Sequence, residues 1–178
     1  MELFDLYTAD REKTGKTMVR GEPTPEGYYR LVVHICIFDG QGRMLIQQRQ
    51  PFKHGWSNMW DISVGGSAVA GDDSRSAAER ETREELGLEI DLKDERPTMT
   101  IYWEHGFDDY YVLTRNVDLD TLTLQPEEVP TVRWAEKEEI LQMIDDRTFI
   151  PYEKSLIELL FYRRNRRSSH TRNDGDDD

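Results

Sequence analysis

The chain has 178 residues, of which 37% are hydrophobic, and its 36 acidic residues outnumber 23 Lys and Arg residues, giving a formal net charge of −13. This length and apolar content predict one domain that buries a core of its own without needing a disulfide or metal staple. The negative charge argues against a nucleic-acid polymer as the main ligand. It is compatible with a small nucleotide, because a divalent ion and local arginines can offset phosphate charge.

Cysteine content and hydropathy further restrict the class of protein to which the chain can belong. The single cysteine, Cys36, lies in an apolar run, so no intrachain disulfide forms and a buried thiol is expected. No apolar run approaches membrane-spanning length, and the first 13 residues lack the apolar segment of a signal peptide. We therefore expect a cytoplasmic location and no membrane partner.

Alternating strands and helices are predicted along the chain. The strands are expected at residues 31–38, 44–48, 61–64, 98–105, 109–115 and 129–135. The first two are joined by Asp39-Gly40-Gln41-Gly42, which is a hairpin signal. One helix is expected after residue 73, and further helices at 136–146 and 152–164. This order predicts an α/β fold with a mixed sheet between helices.

The helix after residue 73 has clear start and stop signals. Asp72, Asp73 and Ser74 offer N-cap side chains, and Gly87 stands where the helix would end. Gly71 frees the chain to enter the helix. Before it, Gly65 and Gly66 are expected to form a tight turn at the end of the 61–64 strand, with carbonyls that can approach a bound ion.

Three glutamates share one face of this helix. At about 100° per residue, Glu81, Glu84 and Glu85 lie within roughly 100° of one another. Like charges at i,i+4 destabilise an isolated helix, so the cluster makes more sense around a cation. Mg²⁺ and Mn²⁺ take carboxylate oxygens and accept phosphate oxygens as further ligands. Arg80 is expected to point away from the glutamates and to orient the segment by pairing with Asp72.

The segment 66–88 resembles the Nudix box, whose pattern is Gly, five residues, Glu, seven residues, Arg-Glu, an apolar residue, any residue, Glu-Glu, any residue, Gly and an apolar residue. The matching positions are Gly66, Arg80, Glu81, Glu84, Glu85, Gly87 and Leu88. Asp72 replaces the first Glu of the pattern and Thr82 replaces its apolar residue. The first change shortens the reach toward Arg80, and the second affects packing.

The resemblance implies an α/β/α sandwich and cleavage of a diphosphate linkage in a nucleoside diphosphate joined to another group. It implies Mg²⁺ or Mn²⁺ held mainly by Glu81 and Glu85. Glu84 is then either a further ligand or a carboxylate that supports the ligands, and the Gly65 or Gly66 carbonyl completes the protein's share. A single Nudix domain is then expected over residues 1–165. Many relatives are dimers, so a homodimer is a further expectation.

A general base outside the box varies across the family. Glu128 resembles a late glutamate that reaches the metals in some members, and Glu127 and Glu104 compete with it. Each of the three is equally well explained as a surface acid.

Substrate contacts are expected in a basic and aromatic stretch before the box. Arg49 and Lys53 can pair with phosphate, and Trp56 can stack on a base. The competing interpretation is an exposed loop in which Trp56 and Trp60 pack inward.

Residues 3–139 also resemble the isopentenyl-diphosphate isomerase-like branch of the family. The isomerases use a Cys and a His just ahead of the box helix, where this chain has Gly65 and Ser67. Residues 103–106 keep only part of the isomerases' later Glu-His-Glu motif. Without those groups proton transfer to an alkene has no evident donor, so hydrolysis is favoured. Isomerisation and non-catalytic nucleotide sensing remain as alternatives.

The C-terminal end combines opposite charges. Arginines 163, 164, 166 and 167 precede an Asp-rich segment that ends at Asp178. We interpret the stretch from Arg163 onward as a frayed helix end followed by a disordered charged tail over residues 166–178; a docking segment is the alternative.

Overall fold

A computed structural model describes residues 2–52, 55–166 and 168. Its strands are β1 (Leu3–Tyr7), β2 (Lys13–Val19), β3 (Arg30–Phe38), β4 (Met44–Gln48), β5 (Trp60–Asp61), β6 (Val64–Ser67), β7 (Met99–Trp103), β8 (Gly106–Thr114) and β9 (Thr131–Ala135). Its helices are α1 (Ser74–Leu86), α2 (Lys137–Asp145) and α3 (Lys154–Arg163), with a 3₁₀ turn at Leu119–Thr121.

Seven strands form the central sheet, in which β3 pairs in parallel with β8 and antiparallel with β4 and β6. The path runs β5-β4-β3-β8-β7, and β9 pairs with β4. Alternate residues of β3 face opposite sides. Leu31, Val33 and Ile35 pack with α1, while Cys36 and Phe38 pack with α2 and α3. The predicted mixed sheet between helices is therefore confirmed.

The strand expected at 61–64 is corrected by the structure. It divides into β5 and β6, and Ser63 occupies the break. The Ser63 hydroxyl donates to the Leu45 carbonyl at 2.6 Å and accepts from the Ile37 N–H at 2.8 Å, replacing backbone ladder bonds. Gly65 and Gly66 lie inside β6 and pair with β3, so the expected glycine turn is wrong.

A two-stranded hairpin of β1 and β2 was not predicted, because β2 is mostly polar and exposed. One buried carboxylate fastens its tip to the sheet. Asp109 is fully buried and accepts hydrogen bonds from Arg11, Ser74 and Thr100, each at 2.6 Å. This acid therefore joins the hairpin, the start of α1 and the strands β7 and β8.

Other sequence expectations concern the thiol, the membrane and the tail. Cys36 is fully buried, as predicted. Within the described ranges, no helix is long and apolar enough to cross a membrane. Of the expected charged tail, only Arg166 and Ser168 fall among the described residues, so its disorder stays a prediction.

Candidate active site

Both ends of α1 are fixed by local hydrogen bonds. Asp73 is the N-cap: its carboxylate accepts from the Ser76 N–H at 2.9 Å, and the Ser76 hydroxyl accepts from the Asp73 N–H at 2.9 Å. At the other end Gly87 adopts φ +64° and donates its N–H to the Arg83 carbonyl. These reciprocal caps set the register of the glutamates on the last two turns.

Gly66 lets the helix approach the sheet closely. A Cβ at this position would lie 2.2 Å from the Glu81 Cδ, so only glycine leaves room for that carboxylate against β6. The glycine is required for this close approach and not for a turn. Whether its carbonyl binds an ion stays a prediction.

Arg80 lies among the glutamates, which corrects the expectation that it points away from them. Its Nη1 donates to Glu81 at 2.9 Å and to Glu84 at 3.1 Å. Its Nη2 bonds Asp72 at 2.9 Å, and its Nε bonds the same oxygen at 3.1 Å. The pairing with Asp72 is thus present despite the shorter side chain. One guanidinium offsets the like charges that the sequence places together.

Glu85 is the most deeply buried acid of the cluster, with 7% of its surface exposed. Burial and the neighbouring Glu81 carboxylate raise its pKa to about 8, although a hydrogen bond from Gln47 opposes the rise. Burial also raises the pKa of Glu81, against the effect of Arg80. Glu84 differs, since 48% of its side chain is exposed. In the ionised state, Glu81 and Glu85 are therefore stabilised when they bind a proton or a cation.

Two polar residues beside Glu85 were not predicted from the sequence to belong to the site. Gln47 is 3% exposed; its Nε2 donates to Glu85 at 3.0 Å, and its buried Oε1 has no partner among the described residues. Asp61 pairs with Gln47 across β4 and β5 and accepts from the Tyr152 hydroxyl at 2.8 Å. Gln47 could have been identified from the sequence, because a glutamine at an inward position of an apolar strand is unusual.

The three candidate bases lie in different environments. Glu128 is close enough to contribute to the raised pKa of Glu85. Its loop is tied to the end of α1, because the Gln125 N–H donates to the Glu85 carbonyl at 3.0 Å. Glu127 is exposed. Glu104 lies in the turn between β7 and β8 with 86% of its side chain exposed. The structure therefore brings Glu128 to the glutamates.

The expected substrate contacts are only partly described. Arg49 follows β4 and lowers the pKa of buried Asp61 as a minor influence, while burial raises it overall. The Arg49 Nε is buried and has no hydrogen-bond partner among the described residues. Trp56 is 52% exposed, whereas Trp60 packs in the core beside α2 and α3. Lys53 lies outside the described residues, so its expected role stays a prediction.

The acids do not form a ready-made ligand set. Across residues 2–52, 55–166 and 168, no group of three or more His, Cys, Asp or Glu side chains is arranged to hold a metal ion. The reason is local, since Arg80 binds Glu81 and Glu84 while Glu85 faces Gln47. The residues nevertheless fit a hard divalent cation. Glu81 and Glu85 offer anionic oxygens, and Gln47 offers an amide oxygen that has no partner in the part of the chain that the structure describes.

Comparison with known proteins identifies the family. Residues 28–155 match the NUDIX domain. The chain belongs to the Nudix family. This Nudix protein is 50% identical over 152 residues to an uncharacterized Nudix hydrolase of Listeria innocua, covering 85% of this chain and 90% of that one. A solved structure from Deinococcus radiodurans superposes with a TM-score of 0.72 at 28% identity, covering 93% of this chain and all of the other.

An isopentenyl-diphosphate Delta-isomerase of Clavibacter michiganensis is also similar to this Nudix chain. The two are 28% identical over 148 residues, which cover 80% of this chain and 76% of the isomerase. The much higher identity to the Listeria hydrolase and the matching domain make this chain a Nudix hydrolase. The family and the enzyme class predicted from the box are confirmed.

Proposed function

We propose that this Nudix hydrolase cleaves a diphosphate linkage in a nucleoside diphosphate joined to a second group, and that Mg²⁺ or Mn²⁺ is required. The observation that carries the proposal is that the buried acid Glu85 lies beside the partly buried acid Glu81. Glu81 fits against the backbone of Gly66, and Glu85 lies beside it with a pKa raised to about 8. A divalent cation that also accepts phosphate oxygens stabilises two such neighbouring carboxylates most strongly.

Glu81 and Glu85 are the proposed ligands, and the Gly66 carbonyl is the proposed backbone ligand. When bound, the ion would polarise a phosphoryl oxygen and lower the pKa of a coordinated water. Gln47 holds the Glu85 carboxylate through its N–H. Arg80, fixed by Asp72, holds Glu81 and Glu84 in register. These hydrogen bonds position the acids before an ion binds.

Glu128 is the proposed general base. In the reaction a water oxygen forms a bond to one phosphorus, and the bond from that phosphorus to the bridging oxygen breaks. Glu128 accepts the water proton, and the departing phosphate retains the bonding electron pair. Its closeness to Glu85 and the hydrogen bond that ties its loop to the end of α1 support this assignment.

Arg49, Lys53 and Trp56 are the proposed substrate contacts. The Arg49 Nε has no hydrogen-bond partner within the described ranges, which supports phosphate binding, and the half-exposed Trp56 ring supports stacking on a nucleobase. The substrate is then a small nucleotide and not a nucleic-acid polymer, in keeping with the net charge of −13.

Turnover of a panel of nucleoside diphosphate derivatives tests the proposal, with Mg²⁺, with Mn²⁺ and with chelator. We expect metal-dependent release of phosphorylated products by the wild type and its loss in Glu85→Gln. Glu89→Gln is the matched control, because Glu89 follows the box and is exposed. No hydrolysis of any compound, or full activity of Glu85→Gln, would refute the proposal.

Isomerisation is the second candidate, supported by the similarity to the Clavibacter isomerase. Gly65 and Ser67 stand at the positions where the isomerase pattern has Cys and His, and neither replaces a proton donor there. Product analysis on isopentenyl diphosphate separates the two functions, because isomerisation yields an allylic diphosphate without phosphate release. Tight nucleotide binding without turnover in the presence of metal would instead indicate a sensor.

A further inference from the structure

A second site is indicated by a cleft in which most of the charged lining residues are arginines. The cleft has a volume of about 740 Å³ and lies between the end of β8, the segment before β7 and the end of α3. Its charged lining residues are Glu95 and five arginines, namely Arg96, Arg115, Arg163, Arg164 and Arg166.

This composition reverses the charge balance of the chain. Acidic residues outnumber Lys and Arg by 36 to 23 overall, yet arginines outnumber acids five to one in the lining of this cleft. Grouping like charges costs free energy unless an anion offsets it. The basic cluster at residues 163–167, which the hydrolase function leaves unused, contributes three of these arginines.

Carbonyl groups and aromatic rings hold several of these guanidinium groups. Arg115 donates to the Thr114 carbonyl at 2.8 Å, and the Arg166 guanidinium lies 4.8 Å from the centre of the Tyr162 ring. Arg164 lies 5.9 Å from the Phe161 ring, and its buried Nε has no hydrogen-bond partner among residues 2–52, 55–166 and 168. These contacts orient the guanidinium groups of Arg115, Arg164 and Arg166 through uncharged partners.

The cleft is separate from the glutamate site. The cleft lies beside β8 and β7, at one end of the strand order. Gln47 and Asp61 belong to β4 and β5, at the opposite end. An anion in the cleft is therefore recognised independently of the proposed metal ligands.

We propose that this arginine cleft binds a phosphate-bearing polyanion with the chemistry of a di- or triphosphate chain. The planar guanidinium group matches phosphate oxygens in pairs, and several such groups around one cleft suit a chain of phosphates better than a single carboxylate. An inorganic phosphate chain and the phosphate chain of a nucleotide share this chemistry.

Calorimetric titration of the full chain with tripolyphosphate in EDTA tests the site, because the glutamates repel anions when no metal is present. We expect saturable 1:1 binding that the Arg115→Gln/Arg166→Gln variant weakens by about tenfold or more. Arg20→Gln/Arg147→Gln is the control, since it removes the same charge from exposed positions away from the cleft and should leave the affinity unchanged.

The proposal would be overturned by absence of saturable binding, by equal affinity in the cleft variant, or by equal weakening in the control variant. Binding that appears only when Asp174, Asp176, Asp177 and Asp178 are replaced by Asn would also overturn it, in favour of the chain's own acidic end as occupant. A parallel titration with ATP identifies the source. Tighter binding of ATP supports a nucleotide, and equal binding supports the phosphate chain alone. Hydrolytic activity plays no part in this measurement, so its outcome is independent of the proposed reaction.

Discussion

Replacing Glu85 with Gln should make the metal-free protein more stable at alkaline pH. The pKa of Glu85 rises from the ordinary 4.5 to about 8 because of burial and the Glu81 carboxylate. The folded state therefore binds this proton more tightly than the unfolded chain does. The resulting stabilisation is fully present below pH 4.5 and is lost as the pH rises through about 8.

The size of the effect follows from the pKa difference. Each pKa unit corresponds to about 1.4 kcal/mol, so the ionisation of Glu85 removes about 5 kcal/mol from the free energy of unfolding across this range. For a chain of 178 residues this corresponds to a difference in Tm on the order of 10 °C. A glutamine stays neutral and can still accept the hydrogen bond from Gln47, so the variant avoids this loss.

Thermal unfolding in EDTA at pH 5 and pH 9 measures the difference. We expect Glu85→Gln to exceed the wild type in Tm at pH 9 and to match it more closely at pH 5. Glu89→Gln serves as the exposed control, with no pH-dependent change relative to wild type. Added Mg²⁺ should reduce the difference in Tm at pH 9, because it stabilises the wild type. Parallel pH profiles of Glu85→Gln and wild type in EDTA would refute the electrostatic reasoning.

Two further substitutions test how the glutamates are held. Gln47→Leu removes the N–H that donates to the buried carboxylate at 3.0 Å, so Mn²⁺ affinity and kcat/KM should fall about 10–100-fold. Gln48→Leu, at the next position of β4, should leave both unchanged; similar losses in the two variants would contradict a specific role. Gly66→Ala places a Cβ 2.2 Å from the Glu81 Cδ and should weaken Mn²⁺ binding, whereas Gly65→Ala meets only an ordinary contact at 3.4 Å. Calorimetry with Mn²⁺ and thermal melts would compare the two alanine variants, and equal Mn²⁺ affinities would contradict the close-approach argument.

The box helix could be predicted from the sequence because its signals are local. Asp73 and Gly87 cap the helix within a few residues of where their effect is seen, and the glutamate face follows from helical geometry alone. The direction of Arg80 could not be predicted in this way. Its side chain is long enough to bridge Asp72, Glu81 and Glu84 together, and that choice depends on the sheet lying beneath the helix.

The missed residues depend on strand register. Gln47 and Gln48 are adjacent, and only pairing with β5 and β9 decides that the first faces Glu85. The role of Gly66 likewise requires knowing that α1 crosses β6 at this residue. Both relations join segments distant in sequence, so neither composition nor periodicity can reveal them.

The buried carboxylate of Asp109 also constrains the order in which the molecule can assemble. Its partners Arg11, Ser74 and Thr100 come from three separate segments, and the first lies 98 residues upstream. During synthesis from the N-terminus, the hairpin of β1 and β2 emerges long before the acid that fastens its tip. Asp109 can therefore fasten the hairpin tip only after β8 lies beside α1, whereas the pairing of Tyr7 with Tyr29 joins the hairpin to a segment that is made much earlier.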